Sequence, residues 1–333
     1  MILGFSKGKI RQTSLVNLKS RQSVNFRPPH LQFHLIVYRD TESATWSIYH
    51  WATFRYMSGS PLETLDADIL TYTKQMKDLK REQTFVQSRS LRQAVLNLRG
   101  KDNREDPTSF VGEAWNVKEL EVAKKDPFFL AGIVTFQTTL LTYFGEHKRL
   151  ADWTIELGPD FLAKVHVSSC HVTMNTFVKG VSCFAVARQT RKKKYAKLGQ
   201  YFLSKIKKWL DMGNPNVKHY ESLLEAELLA YKGKTFAAVK QYEVAVLLAA
   251  RAGYQQDAGL ASERLAEYHL TVMDDQEEAT YRLRESIKYW RGWGAIAKVE
   301  ALERKYVDMI GQPTEVFTLA QPIPEESSTS NEL

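Results

Sequence analysis

Apolar residues recur at three- and four-residue spacing along most of the chain, the periodicity that lays an apolar stripe on one face of an α-helix. Leu62, Leu65, Ile69 and Met76 form one stripe, and Leu223, Leu224, Leu228 and Tyr231 another. Three cap-proline pairs, Ser60-Pro61, Asp126-Pro127 and Asn214-Pro215, mark helix starts. Proline at the first helical position gives up only an N–H that has no partner there. Glu63 completes a capping box with Ser60.

A longer period overlies this one. Small residues lead the groups Ala151/Ile155/Gly158, Ala196/Gln200/Leu203, Ala238/Tyr242/Ala245 and Ala279/Leu283/Ser286, with steps of 45, 42 and 41 residues between the leading alanines. That spacing predicts helix–turn–helix units somewhat longer than the roughly 34-residue tetratricopeptide repeat. In "LLEAELLAYKGKTFAAVKQYEVAVLLAARAGY", Ala226 and Ala230 lie on the first helix and Gly233 makes the turn. Phe236, Ala238, Tyr242 and Ala245 face back onto it, the small residues letting the helices approach closely. An earlier unit occupies 44–80, punctuated by Gly59 and Pro61, and residues 97–125 are polar and irregular, an insertion or loop.

The stretch "YWRGWGAIAKVEALERKY", 289–306, sets two glycines around a tryptophan. A phosphate loop needs the G-x-x-x-x-G-K-[ST] spacing, and here Lys298 is followed by neither Ser nor Thr. The expectation is a corner: Gly292 closes one helix in a left-handed cap, and Ala295, Val299 and Leu302 form the stripe of the next.

Charge changes the picture in two places. The net charge is +8, but residues 1–39 hold seven Lys or Arg and no acid, which leaves 39 basic and 38 acidic residues for the rest. The leader reads as a disordered arm, a mis-assigned start or an organelle-targeting segment, although it has no clear amphipathic face. From Phe161 to Leu210 there are eleven Lys or Arg and no Asp or Glu, centred on "RQTRKKKYAKLGQYFLSKIKKWL". Such a cluster can bind phosphates, acidic protein surfaces or a nuclear import receptor. It also suits a solvated helix face whose buried side is Leu198, Phe202, Ile206 and Trp209. Arg191, Lys192, Lys193, Lys194 and Lys197 are the candidate partner or phosphate contacts.

Other chemistry is weaker. No run of about 18 uncharged apolar residues predicts a membrane span. Cys170 and Cys183 make no disulfide framework and fit a reducing, cytoplasmic setting. His166 and Cys170 are four apart with His171 adjacent, but the spacing matches no common zinc pattern, and no metal or cofactor is expected. Glu225 and Glu227 fall on different sides of a helix and should not share a proton. Trp46, Tyr49, Trp51 and Tyr56 can stack bases, yet their near-helical spacing suits a core.

The blocks "SIYHWATFRYMSGSPLETL", "QAVLNLRG", "HYESLLEAELLAYKGKTFAAVKQYEVAVLLAARAGYQQDAGLASERLAEYHL" and "YWRGWGAIAKVEALERKY" resemble the helical-repeat region of large bacterial-type multidomain signalling proteins. In that family a serine/threonine kinase-like domain and a predicted ATPase precede the repeats, and a GAF domain with a histidine kinase or cyclase often follows. The resemblance covers roughly residues 44–308 and falls on non-catalytic positions. Walker A, His-Arg-Asp and Asp-Phe-Gly sequences are all missing.

The expectation is therefore an all-α, tetratricopeptide-like helical-hairpin solenoid of about five or six hairpins over 41–310. A basic leader (1–40) and a disordered acidic tail (311–333) flank it. It would bind a protein or a neighbouring signalling domain on a concave surface, without catalysis. A fragment of a larger kinase or ATPase and an RNA-binding helical repeat are the alternatives, nucleic acid being the lesser partner.

Overall fold

The computed structural model describes residues 40–311, apart from 104 and 167–169. Expectations for residues 1–39 and 312–333 lie outside the described residues, among which the chain is all helical, with fifteen α-helices and no strand. Helix α1 (Thr41–Met57) and α2 (Leu62–Asp78) form a hairpin. They are followed by α3 (Glu82–Arg99), a loop and the short α4 (Val117–Ala123). Next come α5 (Pro127–Tyr143), α6 (His147–Leu157), α7 (Phe161–Val165), α8 (Cys170–Thr190) and α9 (Lys193–Asp211). The described residues close with α10 (Lys218–Tyr231), α11 (Thr235–Ala252), α12 (Gln255–Tyr268), α13 (Gln276–Trp293), α14 (Ile296–Lys305) and α15 (Val307–Ile310).

Two of the three cap-proline pairs act as their chemistry dictates. Asp126 accepts the backbone N–H groups of Phe128 and Phe129 at 2.8 and 3.1 Å, with Pro127 opening α5. Asn214 accepts from Asn216 N–H at 3.1 Å and starts the short turn that feeds α10. The capping box at Ser60 does not form. Pro61 itself occupies the cap position in extended conformation, with no side-chain cap bond, which leaves Ser60 one residue too far out to reach the first-turn N–H groups. Its hydroxyl instead lies 3.4 Å from that of Ser58, and Glu63 turns to Arg99 at 3.4 Å.

The helices pack in two rows. Helices α3, α5, α8, α10 and α12 follow one another along an inner row and are buried on most sides, while α6, α9, α11 and α13 cover them and keep one face exposed. All four leading alanines of the long period, Ala151, Ala196, Ala238 and Ala279, are buried in the first turn of these covering helices. The rest of the pattern holds in α11 and α13, where Tyr242, Ala245, Leu283 and Ser286 are buried. In the earlier units it does not: Ile155 and Gln200 are exposed, and Gly199, against the Phe184 ring, takes the inward position in α9. The described residues of 100–103 and 105–116 run without regular helix but are held down. Asn97 Nδ2 donates to the carbonyls of Pro107 and Ser109 at 3.1 and 2.6 Å, and Trp115 lies buried beneath the Arg89 guanidinium.

The end of the array returns to its beginning. Helix α14 packs against α3 as well as α13, and the Gln256 side chain donates to the Met57 carbonyl at 2.6 Å. Gly59, at φ +77°, comes so close to the α11–α12 turn that a Cβ there would meet the Gly253 carbonyl at 2.7 Å. The corner at 289–306 takes part in this closure. Its left-handed cap is Gly294, at φ +91°, and not Gly292, which remains inside α13. Carrying the helix through Trp293 places that ring 5.3 Å from Tyr56 and 6.1 Å from Tyr143. Ala295, Val299 and Leu302 are buried as expected. Where an open array would present a concave surface, the aromatic side chains of α1, α5 and α13 meet one another.

Candidate functional site

The predicted basic residues lie together at one edge. Arg191, Lys192, Lys193, Lys194 and Lys197 are all exposed, and Lys194 covers the Tyr195 ring at 4.7 Å. Arg191 adopts φ +55° and donates from Nη1 to the Tyr231 carbonyl at 3.1 Å. That bond sets the α8–α9 turn beside the α10–α11 turn, where Lys232 and Lys234 are also exposed. None of these cations has a carboxylate partner among the described residues. Phe236 follows them. The expectation that it packs back onto the preceding helix is overturned: it is 89% exposed, because Ala238 and Tyr242 take the inward stripe of α11. The edge thus carries surplus positive charge, and one bare aromatic ring follows Lys234 in the chain.

Helix α9 also has the buried side expected of it. Phe202 and Ile206 are fully buried, whereas Leu198 and Trp209 are only half-buried, their place being shared by Tyr195, Ala196 and Leu203. Two of its lysines leave the basic edge for carboxylates: Lys205 pairs with Asp160, and Lys207 with Glu225 at 2.7 Å.

A second site escaped the sequence reasoning. Between α7, α8 and α9 lies a narrow void of about 230 Å³, mouth included, of which about 10 Å³ admits the centre of a water. Asp160, Asn175, Thr176, Lys179 and Lys205 are among its lining residues. Lys179 is 3% exposed and has no hydrogen-bond or ion-pair partner among the described residues. Burial pushes its ammonium down to about 8; Cys183 and Asp160 oppose the shift, and Lys205 adds to it. The available signal was a lone lysine inside the apolar run "TFVKGVSCFAV", since a cation on a helix buried all round is costly unless paired or neutral.

The histidines near Cys170 gather without forming a metal centre. His171 lies 5.6 Å from His166 and 6.1 Å from His50, ring to ring, but its Nε2 is 2.9 Å from the Tyr49 hydroxyl. No group of three His, Cys, Asp or Glu among the described residues can hold a metal ion. Glu225 and Glu227 do lie on different sides of α10, facing Lys207 and Arg264 respectively. The aromatics of α1 turn inward: Tyr49 and Tyr56 are buried, and Trp46 and Trp51 pack against Phe128 and Tyr72. No helix among the described residues is long and apolar enough to cross a membrane.

Comparison with protein-family models, with curated proteins and with solved structures gave no match for this chain.

Proposed function

We propose that the chain is a tetratricopeptide-like helical-repeat docking module, without catalysis of its own, that holds an acidic protein segment along the edge formed by its hairpin turns. One observation carries this reading: the cations of two turns joined by the Arg191–Tyr231 bond, Arg191 to Lys194 with Lys232 and Lys234, are exposed without carboxylate partners among the described residues, and the exposed Phe236 follows them in α11. A partner that supplies carboxylates and one apolar pocket would neutralise the charge and bury the ring together, the combination that gives steering and an anchor. The filled interior favours this outer edge over a concave groove. The multidomain signalling setting implied by the sequence resemblance belongs to the same proposal, and the size of the native polypeptide in a lysate tests it.

The edge is tested by fluorescence anisotropy with labelled acidic peptides that contain one aromatic residue, against single-stranded RNA of similar charge. The expected result is peptide binding that weakens at least tenfold both in Phe236→Ser and when Arg191, Lys193 and Lys194 are changed to Ser. Preference for RNA, with loss of affinity as salt rises and no effect of Phe236→Ser, would instead support a nucleic-acid module. Absence of both removes the proposal.

A further inference from the structure

We propose that Lys179 is a carbon dioxide acceptor, forming in the cavity between α7, α8 and α9 a carbamate that the Lys205 ammonium and the Asn175 amide hold in place. This site is separate from the docking edge and does not depend on it.

The reasoning begins with cost. An ammonium buried to this extent without a partner is unfavourable, and the cost is relieved either by losing the proton or by becoming an anion beside a cation. The groups around Lys179 allow both. Asp160, on the turn before α7, is already engaged by Lys205 and by the Tyr201 hydroxyl from α9. It therefore offers Lys179 a field but no bond. Cys183 on α8 is buried, and burial pushes its thiol up to about 12, so it stays neutral near Lys179. Lys164 on α7 adds positive charge near Asp160. Burial outweighs the Asp160 carboxylate and, together with the Lys205 ammonium, disfavours a second ammonium at Lys179, so the amine gives up its proton readily.

The chemistry is complete without an oxidant or a metal. The Lys179 ammonium first gives one proton to water; the freed lone pair attacks the carbon of CO2, an N–C bond forms, one C=O π bond opens to a carboxylate, and a second proton leaves the nitrogen to water. The product changes an unpaired cation into an anion next to Lys205. Asn175 has donor capacity to spare: it donates to the Thr135 carbonyl at 3.1 Å and accepts from Thr138 at 2.8 Å, and an amide has two N–H donors. Shape selects the electrophile. The inner part of the void has room for about one water, so only a small electrophile reaches the amine, and the carboxylate it leaves must lie partly in the mouth.

The test uses the full chain in 13C-labelled bicarbonate near pH 8. Carbon NMR should show a carbamate resonance in the wild type that is missing from both Lys179→Arg and Lys179→Met. Signals from the amino terminus and surface lysines appear in all three proteins and cancel. Chemical trapping of the adduct on the wild-type protein, followed by peptide mapping, should place the label on Lys179, a readout that needs no variant to fold. In Lys205→Gln, which keeps the acceptor and removes the cation, occupancy should fall several-fold. Identical spectra for wild type and Lys179→Arg overturn the proposal, as does a trapped label found only on other amines. Thermal stabilisation of the wild type by chloride equal to that by bicarbonate, with no trapped label, would make the cavity a simple anion site and overturn it equally.

Discussion

His147 is buried with its Nδ1 3.0 Å from the Ser182 hydroxyl, and burial, aided by the nearby Arg264 charge, pushes its imidazole down to about 3. His171, under Tyr49, is pushed down to about 3 by burial and by His166 and His50. Unfolded, both would titrate near the ordinary histidine value of 6.5. Between those values the unfolded chain binds more protons than the folded one, so stability is complete above about pH 6.5 and is lost as pH falls toward 3. At pH 5 the loss is about 2 kcal/mol for each histidine. Urea unfolding at pH 7 and pH 5 should show the midpoint falling with acid, and falling clearly less in a His147→Gln/His171→Gln double variant; an equal fall would assign the acid sensitivity elsewhere. Lys179 has the same charge change in a higher window. Its folded value of about 8 lies below the ordinary 10.5, so stability rises as pH climbs between them. Lys179→Met should remove that rise and stabilise the protein near pH 7. None of these three residues announces itself by pattern. Each needs the burial that distant helices supply, and only Lys179, alone in an apolar run, leaves a trace in the sequence.

At the scale of helices, an ion cluster centred on Glu227 ties three helices of the inner row together. Its carboxylate is fully buried on α10 and accepts from Arg264 Nε of α12 at 2.7 Å and from Arg188 Nη1 of α8 at 3.3 Å. Arg188 also donates to the Tyr242 hydroxyl of α11 at 3.1 Å. Burial alone would raise the Glu227 carboxyl, but the two guanidiniums outweigh it and hold it below the usual range. Removing the carboxylate leaves Arg188 with no ion-pair partner among the described residues and Arg264 with Glu267 alone, in a dry interior. Glu227→Gln should therefore cost about 3–5 kcal/mol in chemical denaturation, whereas replacing Glu227, Arg188 and Arg264 together by apolar residues of similar volume should recover most of the loss. A cost under about 1 kcal/mol for the single variant would mean that water reaches the cluster. Much at this scale was legible. The Asp126 and Asn214 caps are set by local chemistry, and the buried alanines at steps of 45, 42 and 41 residues gave the register of the covering helices. Ser60 and Gly292 were misplaced because each has a competitor one or two residues away, Pro61 and Gly294, and only tertiary packing chooses between them.

The closure of the array belongs to the whole molecule, and nothing local encodes it. Gln256 and Met57 are 199 residues apart, and the fit of Gly59 against Gly253 depends on every intervening hairpin. A linear repeat array has contacts only between neighbours and can open from either end. Here the seam of Tyr56, Tyr143, Trp290 and Trp293 joins the first helix, the middle and the last hairpin in one aromatic cluster. Fraying of α1 must therefore expose α13 and α14 as well. Trp293→Ala leaves a cavity at that joint and should cost about 3–5 kcal/mol. The more telling readout is amide hydrogen exchange. In the variant, α1 and α14 should lose protection together and to the same extent, while α9, which packs on α8 and α10, keeps its own. If α13 and α14 loosen while α1 stays protected, the ends open independently, and the molecule behaves as a linear array whose ends merely touch.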